Sequence, residues 1–364
     1  MISRIFDIIS RRIDGPLMAA LALTLALGLT VVYSASGGSS VERAVAQGRN
    51  LAMAIFALWL FAQIHPQLLM RLALPAYVIG LSLLLGVALF GEVRNGARRW
   101  LNLGITIQPS EIMKIAVPLV LAWYFHRREE GLRMRDFAVA ALLLALPVGL
   151  IVRQPDLGTA LLIFASGFFV IFLAGLSWRV IASVAVAGAV SLPFVWSVMH
   201  DYQRKRILTL LDPTEDPLGA GYHIIQSTIA IGSGGILGKG WLNGTQAQLD
   251  FVPERSTDFI LAVFGEEFGL VGTIALSALY VLIIARGLMI AANASTTFSR
   301  LTAGAITLTF FTYAFVNMGM VSGILPVVGV PLPMISYGGT ALLSMLVGFG
   351  ILMSISTHKQ LVSS

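Results

Sequence analysis

Hydrophobic residues along this chain of 364 residues gather into long runs, separated by short polar connections. The runs are about 17–25 residues each, the length at which a helix crosses ~30 Å of hydrocarbon. Ten are readable, at roughly 17–35, 49–64, 72–90, 109–125, 136–152, 157–175, 177–199, 258–285, 300–322 and 335–356. The alternation that builds a membrane β-barrel is absent. The pattern predicts an all-α polytopic membrane protein of about ten transmembrane helices, forming a single integral-membrane domain over 1–364. One long interruption, 200–257, is polar, charged and rich in glycine, and predicts a large extracytoplasmic loop with a flexible backbone.

Composition agrees with the pattern. The chain is 57% hydrophobic and 12% charged, with mean hydropathy +0.86, whereas soluble domains carry roughly 25% charged residues. Cysteine is absent, so disulfides play no part. The first run, Leu17 to Ser34, is followed closely by another and reads as a retained span, not a cleaved signal. A pI of 9.8 raises the question of nucleic acid. Basic residues flanking membrane spans produce the same balance, so no nucleic-acid partner is expected. Twelve of the 24 Lys and Arg fall on the side of the two termini, against six in the short loops opposite. Long loops count little in this comparison. The bias places both termini in the cytoplasm and the large loop outside, in a multi-pass protein of the inner (cytoplasmic) membrane. No internal repeat of the transporter type is visible.

Against this apolar background, a few charges stand out. Glu111 and Lys114 lie at the start of the fourth run, three residues apart and so on one helix face. Pro109 suits a first helical turn, with Gln108 or Ser110 as cap. Bare charges at mid-bilayer cost about 2.5–3.5 kcal/mol each, so the pair points to a wet cavity or to an ion pair between helices. Asp258 stands where the large loop re-enters the membrane, a place suited to chemistry on a molecule half lipid and half polar. Its bland alternative is a helix N-cap. Glu266 and Glu267, deeper in the same run, need partners from other helices. Basic residues cluster on the outer side: Arg94, Arg98 and Arg99, then Arg204, Lys205 and Arg206, then Lys239 and Arg255. They suit phosphate or pyrophosphate binding, with lipid headgroup contact as the alternative.

Three other signals lead nowhere. The stretch Ile231 to Gly240 resembles a phosphate-binding loop, but Ser233 and Gly240 stand at positions the motif assigns to Gly and to Ser or Thr. It reads better as a close-packed, flexible backbone segment. Asn243-Gly244-Thr245 matches a glycosylation acceptor, a pattern frequent by chance. The five histidines have no metal-ligand spacing, so no metal site is expected.

Several stretches, in order, resemble the SEDS family (shape, elongation, division and sporulation proteins). They are Arg98-Arg99-Trp100-Leu101 with Gln108-Pro109-Ser110-Glu111 and Lys114; Gln154-Pro155-Asp156-Leu157-Gly158-Thr159; Asp212-Pro213 with Gly219 to Ser227; Pro253 to Ile260; Glu266-Glu267; and Gly323 to Pro333 with Ser336-Tyr337-Gly338-Gly339. The Pro326 to Pro333 run is similar to the elongation branch more than the division branch. The resemblance implies a ten-span peptidoglycan glycosyltransferase acting at the outer face of the membrane. Its substrates would be lipid II, the undecaprenyl-pyrophosphate-linked disaccharide-pentapeptide, and the growing glycan on the same carrier. Its partner would be a class B penicillin-binding protein, a transpeptidase. The family's catalytic Asp maps onto Asp258, and its cavity acid and base onto Glu111 and Lys114. Gln108, Arg98, Arg204, Lys239 and Arg255 complete the expected substrate-binding set.

The chemistry fits the residues on its own terms. An acceptor hydroxyl attacking an anomeric carbon must lose a proton, which a positioned carboxylate can take. Pyrophosphate leaves readily, so cations that stabilise its charge help more than a general acid. The sequence requires no cofactor and is compatible with a divalent cation. The alternative is a flippase or transporter of a lipid-linked cell-wall precursor. Its site would sit near the midplane, between repeats, whereas here the polar residues gather at outer loops.

Overall fold

The computed structural model describes residues 12–37, 41–94, 97–102, 104, 106–199, 201–215 and 219–358, and leaves the side chains of 41, 93–98, 195, 201–203, 206, 215 and 220 undescribed. Helices α1 (Gly15–Ala35), α2 (Val41–Gln63) and α3 (Pro66–Phe90) come first. After them the chain forms three short strands, β1 (Glu92–Arg94), β2 (Ala97–Asn102) and β3 (Thr106–Ile107), paired antiparallel in that order. An expectation of purely helical structure missed this small sheet, because six residues of mixed charge and aromatics carry too little pattern to read. Then follow α4 (Pro109–His126), α5 (Met134–Val152), α6 (Leu157–Leu173) and α7 (Trp178–Val198). After α7 come α8 (Asp201–Leu211), a 3₁₀ turn, α9 (Ala220–Gly234) and the single turn α10 (Thr245–Gln248). The last three are α11 (Ile260–Ala292), α12 (Thr297–Val321) and α13 (Thr340–Thr357).

Seven of these helices are long and apolar enough to cross a membrane: α1, α2, α3, α5, α11, α12 and α13. Helices α6 and α7 contain shorter apolar stretches, and α4 carries the charges seen in its sequence. Each of the ten runs read from the sequence therefore has a helix at its place. The centre of the molecule is α12 and α13, the most enclosed of the spanning candidates. Helix α2 lies along α13, α4 lies between α3 and α12, and α6 packs on α12. Close approach is built into the sequence: a Cβ at Gly28 would meet Met334 O at 2.3 Å, and one at Gly350 would meet Leu58 O at 2.4 Å.

The segment 219–257 corrects the expectation of a flexible loop. Helix α9 packs along α11. Helix α11 breaks at Gly269, which has φ 65° and ψ −162°. The break frees backbone groups that α-helix geometry would otherwise use, and residues 235–240 take them up. Lys239 N donates to Glu266 O at 3.0 Å and Gly240 N to Glu267 O at 3.0 Å; in return Leu270 N donates to Gly235 O at 3.0 Å and Val271 N to Ile236 O at 3.1 Å. Irregular backbone near a membrane survives only when its polar groups are satisfied in this way. The glycines at 238 and 269 therefore serve close packing, not freedom of motion.

Candidate active site

Asp258 sits in the turn that precedes α11. The N-cap of α11 is Phe259, with no side-chain cap hydrogen bond, so Asp258 is not a capping residue. The turn also means that helical-wheel angles drawn from Asp258 to Glu266 do not apply, since the regular helix begins at Ile260. Two bonds clamp the turn to the stretch 323–339 and a third clamps it to α12. Tyr337 N donates to Ser256 O at 2.8 Å. Ser336 Oγ donates to Thr257 O at 2.6 Å while accepting from Leu332 N at 2.7 Å. Asn317 Nδ2, fully buried on α12, donates to Asp258 O at 2.8 Å and to Val330 O at 2.7 Å. Gly329, with φ 73°, runs past the carboxylate so closely that a Cβ there would lie 3.3 Å from Asp258 Oδ2. The carboxyl is half-buried, and burial, then the nearby Glu254 charge, pushes its pKa up to about 6.

The second part of the site lies on α4. Lys114 Nζ donates to Glu111 Oε1 at 2.7 Å, and Ser344 Oγ of α13 donates to Glu111 Oε2 at 2.6 Å. Lys114 also lies 5.4 Å from the ring centre of Tyr313 on α12. Pair and hydroxyl thus tie three helices together. A cavity of about 520 Å³ opens beside them. Its walls are apolar, including Leu69, Leu72, Ile112 and Leu343, and its polar groups are Thr106, Gln108, Glu111, Thr340 and Ser344. Gln108 lies at the N-cap of α4 but makes no side-chain cap bond, which leaves its amide to the cavity.

Tyr313 and Asn317 are four residues apart on α12, hence on one face and about 6 Å apart along the axis. One contacts Lys114 and the other holds the Asp258 turn. The sequence reading missed Tyr313, Asn317 and Ser344. A signal existed: a buried Asn within an apolar run is costly unless it is used.

The basic residues have other engagements. Lys239 Nζ donates to Glu266 Oε1 at 2.7 Å and to Thr245 Oγ1 at 2.8 Å. The same carboxylate accepts from Gln246 N at 2.9 Å and Ala247 N at 3.2 Å. Glu267 accepts from Ser34 of α1. The acids of α11 thus have partners from other elements, as the sequence demanded, and they brace the segment 239–247. Arg255 pairs with Asp250 at 2.6 Å and donates to Ala247 O. Described hydrogen bonds of Arg204 run to the carbonyls of Trp196 and Ser197. Arg99 pairs with Asp156, the N-cap of α6, at 3.3 Å. The side chains of Arg98 and Arg206 lie outside the described residues. Among the described residues, no group of three or more His, Asp or Glu is placed to hold a metal.

Comparison with known proteins adds the following. The family FTSW_RODA_SPOVE, described as "Cell cycle protein", matches residues 16–361. "Peptidoglycan glycosyltransferase MrdB" of Escherichia coli (strain K12) is 52% identical over 355 residues, covering 96% of this chain and 95% of that protein. "Probable peptidoglycan glycosyltransferase FtsW" of Geobacter metallireducens is 37% identical, covering 94% of each. Among solved structures, a chain from "Structural coordination of polymerization and crosslinking by a peptidoglycan synthase complex" is similar with a TM-score of 0.83 at 35% identity, covering 96% of this chain and 99% of that one. The crystal structure of the rod shape determining protein RodA of Thermus thermophilus is similar with a TM-score of 0.73 at 29% identity, covering 96% and 98%.

Proposed function

The chain belongs to the FTSW_RODA_SPOVE family of cell cycle proteins, and from that premise we infer that it is a peptidoglycan glycosyltransferase of the elongation type, using lipid II at the outer face of the cytoplasmic membrane. In this reading ten helices span the bilayer, both termini are cytoplasmic, and Asp258 faces outward. The 52% identity to MrdB, against 37% to FtsW, favours the elongation branch.

Asp258 acts as the general base. The acceptor sugar hydroxyl attacks the anomeric carbon of the donor, its proton passes to the Asp258 carboxylate, and the bond from that carbon to the pyrophosphate oxygen breaks. The leaving pyrophosphate carries off the electron pair as added negative charge. A pKa of about 6 leaves the carboxyl mostly ionised at neutral pH yet more basic than a free aspartate. The apolar cavity suits an isoprenoid chain, and Gln108 and Glu111, which line it, suit the sugar it carries, with Lys114 held behind Glu111. One observation carries the reading: a single face of α12 touches both the Lys114 end and the Asp258 turn.

The test is polymer formation from lipid II by the purified chain, with and without its transpeptidase partner. Wild type should give glycan ladders, and Asp258→Asn should give none while expressing and melting normally. Wild-type turnover in the Asn variant would rule out the base. Movement of lipid II across vesicles without polymer would instead favour the transporter reading.

A further inference from the structure

The face opposite Asp258 holds a second polar pocket that the glycosyl-transfer reading leaves unused. It is a cavity of about 90 Å³ lined by His65, His126 and His358 together with Ser295, Thr296 and Ser299. These residues come from four helix ends: the start of α3, the end of α4, the start of α12 and the end of α13. Three of those helices, α4, α12 and α13, carry Lys114, Tyr313 and Ser344 at their other parts.

Two groups in the pocket can donate, the His65 ring through Nε2 and the Ser299 hydroxyl, whereas His358 offers Nε2 as an acceptor until that atom takes a proton. His65 Nδ1 accepts from Gln67 N at 3.2 Å, so in the neutral ring the proton is on Nε2. His358 Nδ1 lies 2.9 Å from Ser354 O, an acceptor, so Nδ1 carries its proton and Nε2 is left over. The two rings meet edge to face at 4.7 Å. Burial lowers the pKa of His358, and the Arg12 and His65 charges lower it further against the pull of Ser354 O. Ser299 is 4% exposed; its Oγ accepts from Thr296, and its own proton meets no acceptor among the described residues. Arg12, anchored on Gln63 O at 2.5 Å, adds a fixed positive charge close by. No carboxylate lines the cavity. Glu129 stands at its rim, 3.4 Å from His126 Nδ1 and near Arg300.

His65 and Ser299 supply donors, the Arg12 guanidinium adds positive charge nearby without lining the cavity, His358 becomes a further donor when an anion brings a proton to its Nε2, and Glu129 engages His126 from the rim. The volume has room for one tetrahedral oxyanion. A metal would need neutral imidazoles converging on one point, and the described residues hold no such grouping. We propose that this pocket, formed by His65, His126, His358 and Ser299 between the ends of α3, α4, α12 and α13, binds one phosphate group. Pockets with basic groups between spanning helices are suited to lipid phosphates, and free phosphate shares the chemistry. An anion here joins the ends of the helices that shape the active site from beneath.

Native mass spectrometry of the full chain in neutral detergent provides the test. The probes are didecanoyl phosphatidylglycerol, inorganic phosphate, and didecanoylglycerol as the phosphate-free control. His65→Asn keeps an N-cap on α3 and, combined with His358→Gln, should weaken phosphate-probe retention about tenfold with unchanged melting. Retention of phosphatidylglycerol alone assigns the site to a lipid headgroup; retention of both phosphate probes assigns it to the phosphate group as such. Equal retention by wild type and variant, equal retention of the phosphate-free control, or no retention of either probe overturns the proposal. Should the double variant fail to fold, His126→Gln, which removes no cap, must show the same loss, and wild-type retention there overturns it equally.

Discussion

Asp258 is held by its backbone, not by its carboxylate, and that decides how it should respond to change. Its pKa is raised, so the fold favours the neutral acid. The sign follows: this contribution to stability is present below the ordinary carboxylate value and is lost as pH rises through about 6. Asp258→Asn mimics the neutral form and should melt no lower than wild type at pH 7.5, gaining on the order of 1 kcal/mol once partial solvent exposure is allowed for. Wild-type turnover should fall about tenfold per unit of pH below about 6 and level off above it. A flat profile from pH 5 to 8, or an Asn variant that melts much lower, contradicts this account. Glu111 and Lys114 respond differently, since their side chains are only 13% and 9% exposed. Changing one leaves a charge without its partner, which costs roughly 3–5 kcal/mol. Glu111→Gln combined with Lys114→Met removes both charges, so it should recover much of the melting temperature lost by either single variant and still be inactive. Activity in the stable double variant would make the pair purely structural. Magnitudes also separate the two basic residues near the turn. Asp250 is 78% exposed, so Arg255 can leave it for a pyrophosphate at the cost mainly of its bond to the Ala247 carbonyl. Lys239 serves a fully buried Glu266 and cannot. Arg255→Gln should therefore lower turnover with melting unchanged, and Lys239→Met should lower melting first; the reverse order in paired assays would exchange their roles.

At the scale of elements, the interrupted helix α11 and its companion segment form the most constrained part of the outer face. A Cβ at Gly238 would sit 2.1 Å from Glu267 O, and its φ is 79°. Gly238→Ala meets both a clash with backbone and a left-handed conformation, at a cost of about 1–3 kcal/mol. Gly232→Ala is the control: it lies inside α9 with open space around it and should be neutral or slightly stabilising. Equal melting of the two variants would mean that the segment 235–240 is loosely held. Such pairing was not legible in the sequence. A glycine-rich stretch between apolar runs reads as flexible because glycine has no side chain to pattern, and its use for close backbone approach shows only when the opposing strand of chain is in place. The apolar helices were legible because each carries its signal locally, in an apolar run. Asp258, Glu111 and Lys114 were legible because charge beside a membrane is rare and stands out. Ser344 was not, since a lone hydroxyl in a helix gains meaning only from the carboxylate that another helix brings to it; Asn317 was passed over although an amide within an apolar run is itself a signal. The partner of Lys239 was not legible either: the carboxylate that it serves lies 27 residues away, across an element boundary.

For the whole molecule, the structured state of 219–257 changes how a partner could act. A flexible loop could be ordered by a bound protein, but α9 is already packed on α11 and braced through Glu266. A partner must then move built elements against one another, shifting an equilibrium between arrangements that the chain itself supplies. The similar chain of known structure comes from a peptidoglycan synthase complex of polymerization and crosslinking; in the proposed reading the partner would be a single-span transpeptidase touching the outer face and adjacent helices. The isolated chain should polymerise lipid II weakly, and adding that partner should raise the rate. A partner whose transpeptidase nucleophile has been replaced should activate just as well, because the contact and not the crosslinking reaction moves the equilibrium. Lys239→Met loosens the brace between the outer segment and α11, so it should also blunt the response to the partner more than it lowers the basal rate. Rates of polymer formation measured for chain alone, with intact partner and with nucleophile-dead partner decide the matter: activation by the intact partner only would tie the effect to crosslinking, and no activation by either would leave the outer segment as a fixed wall of the site.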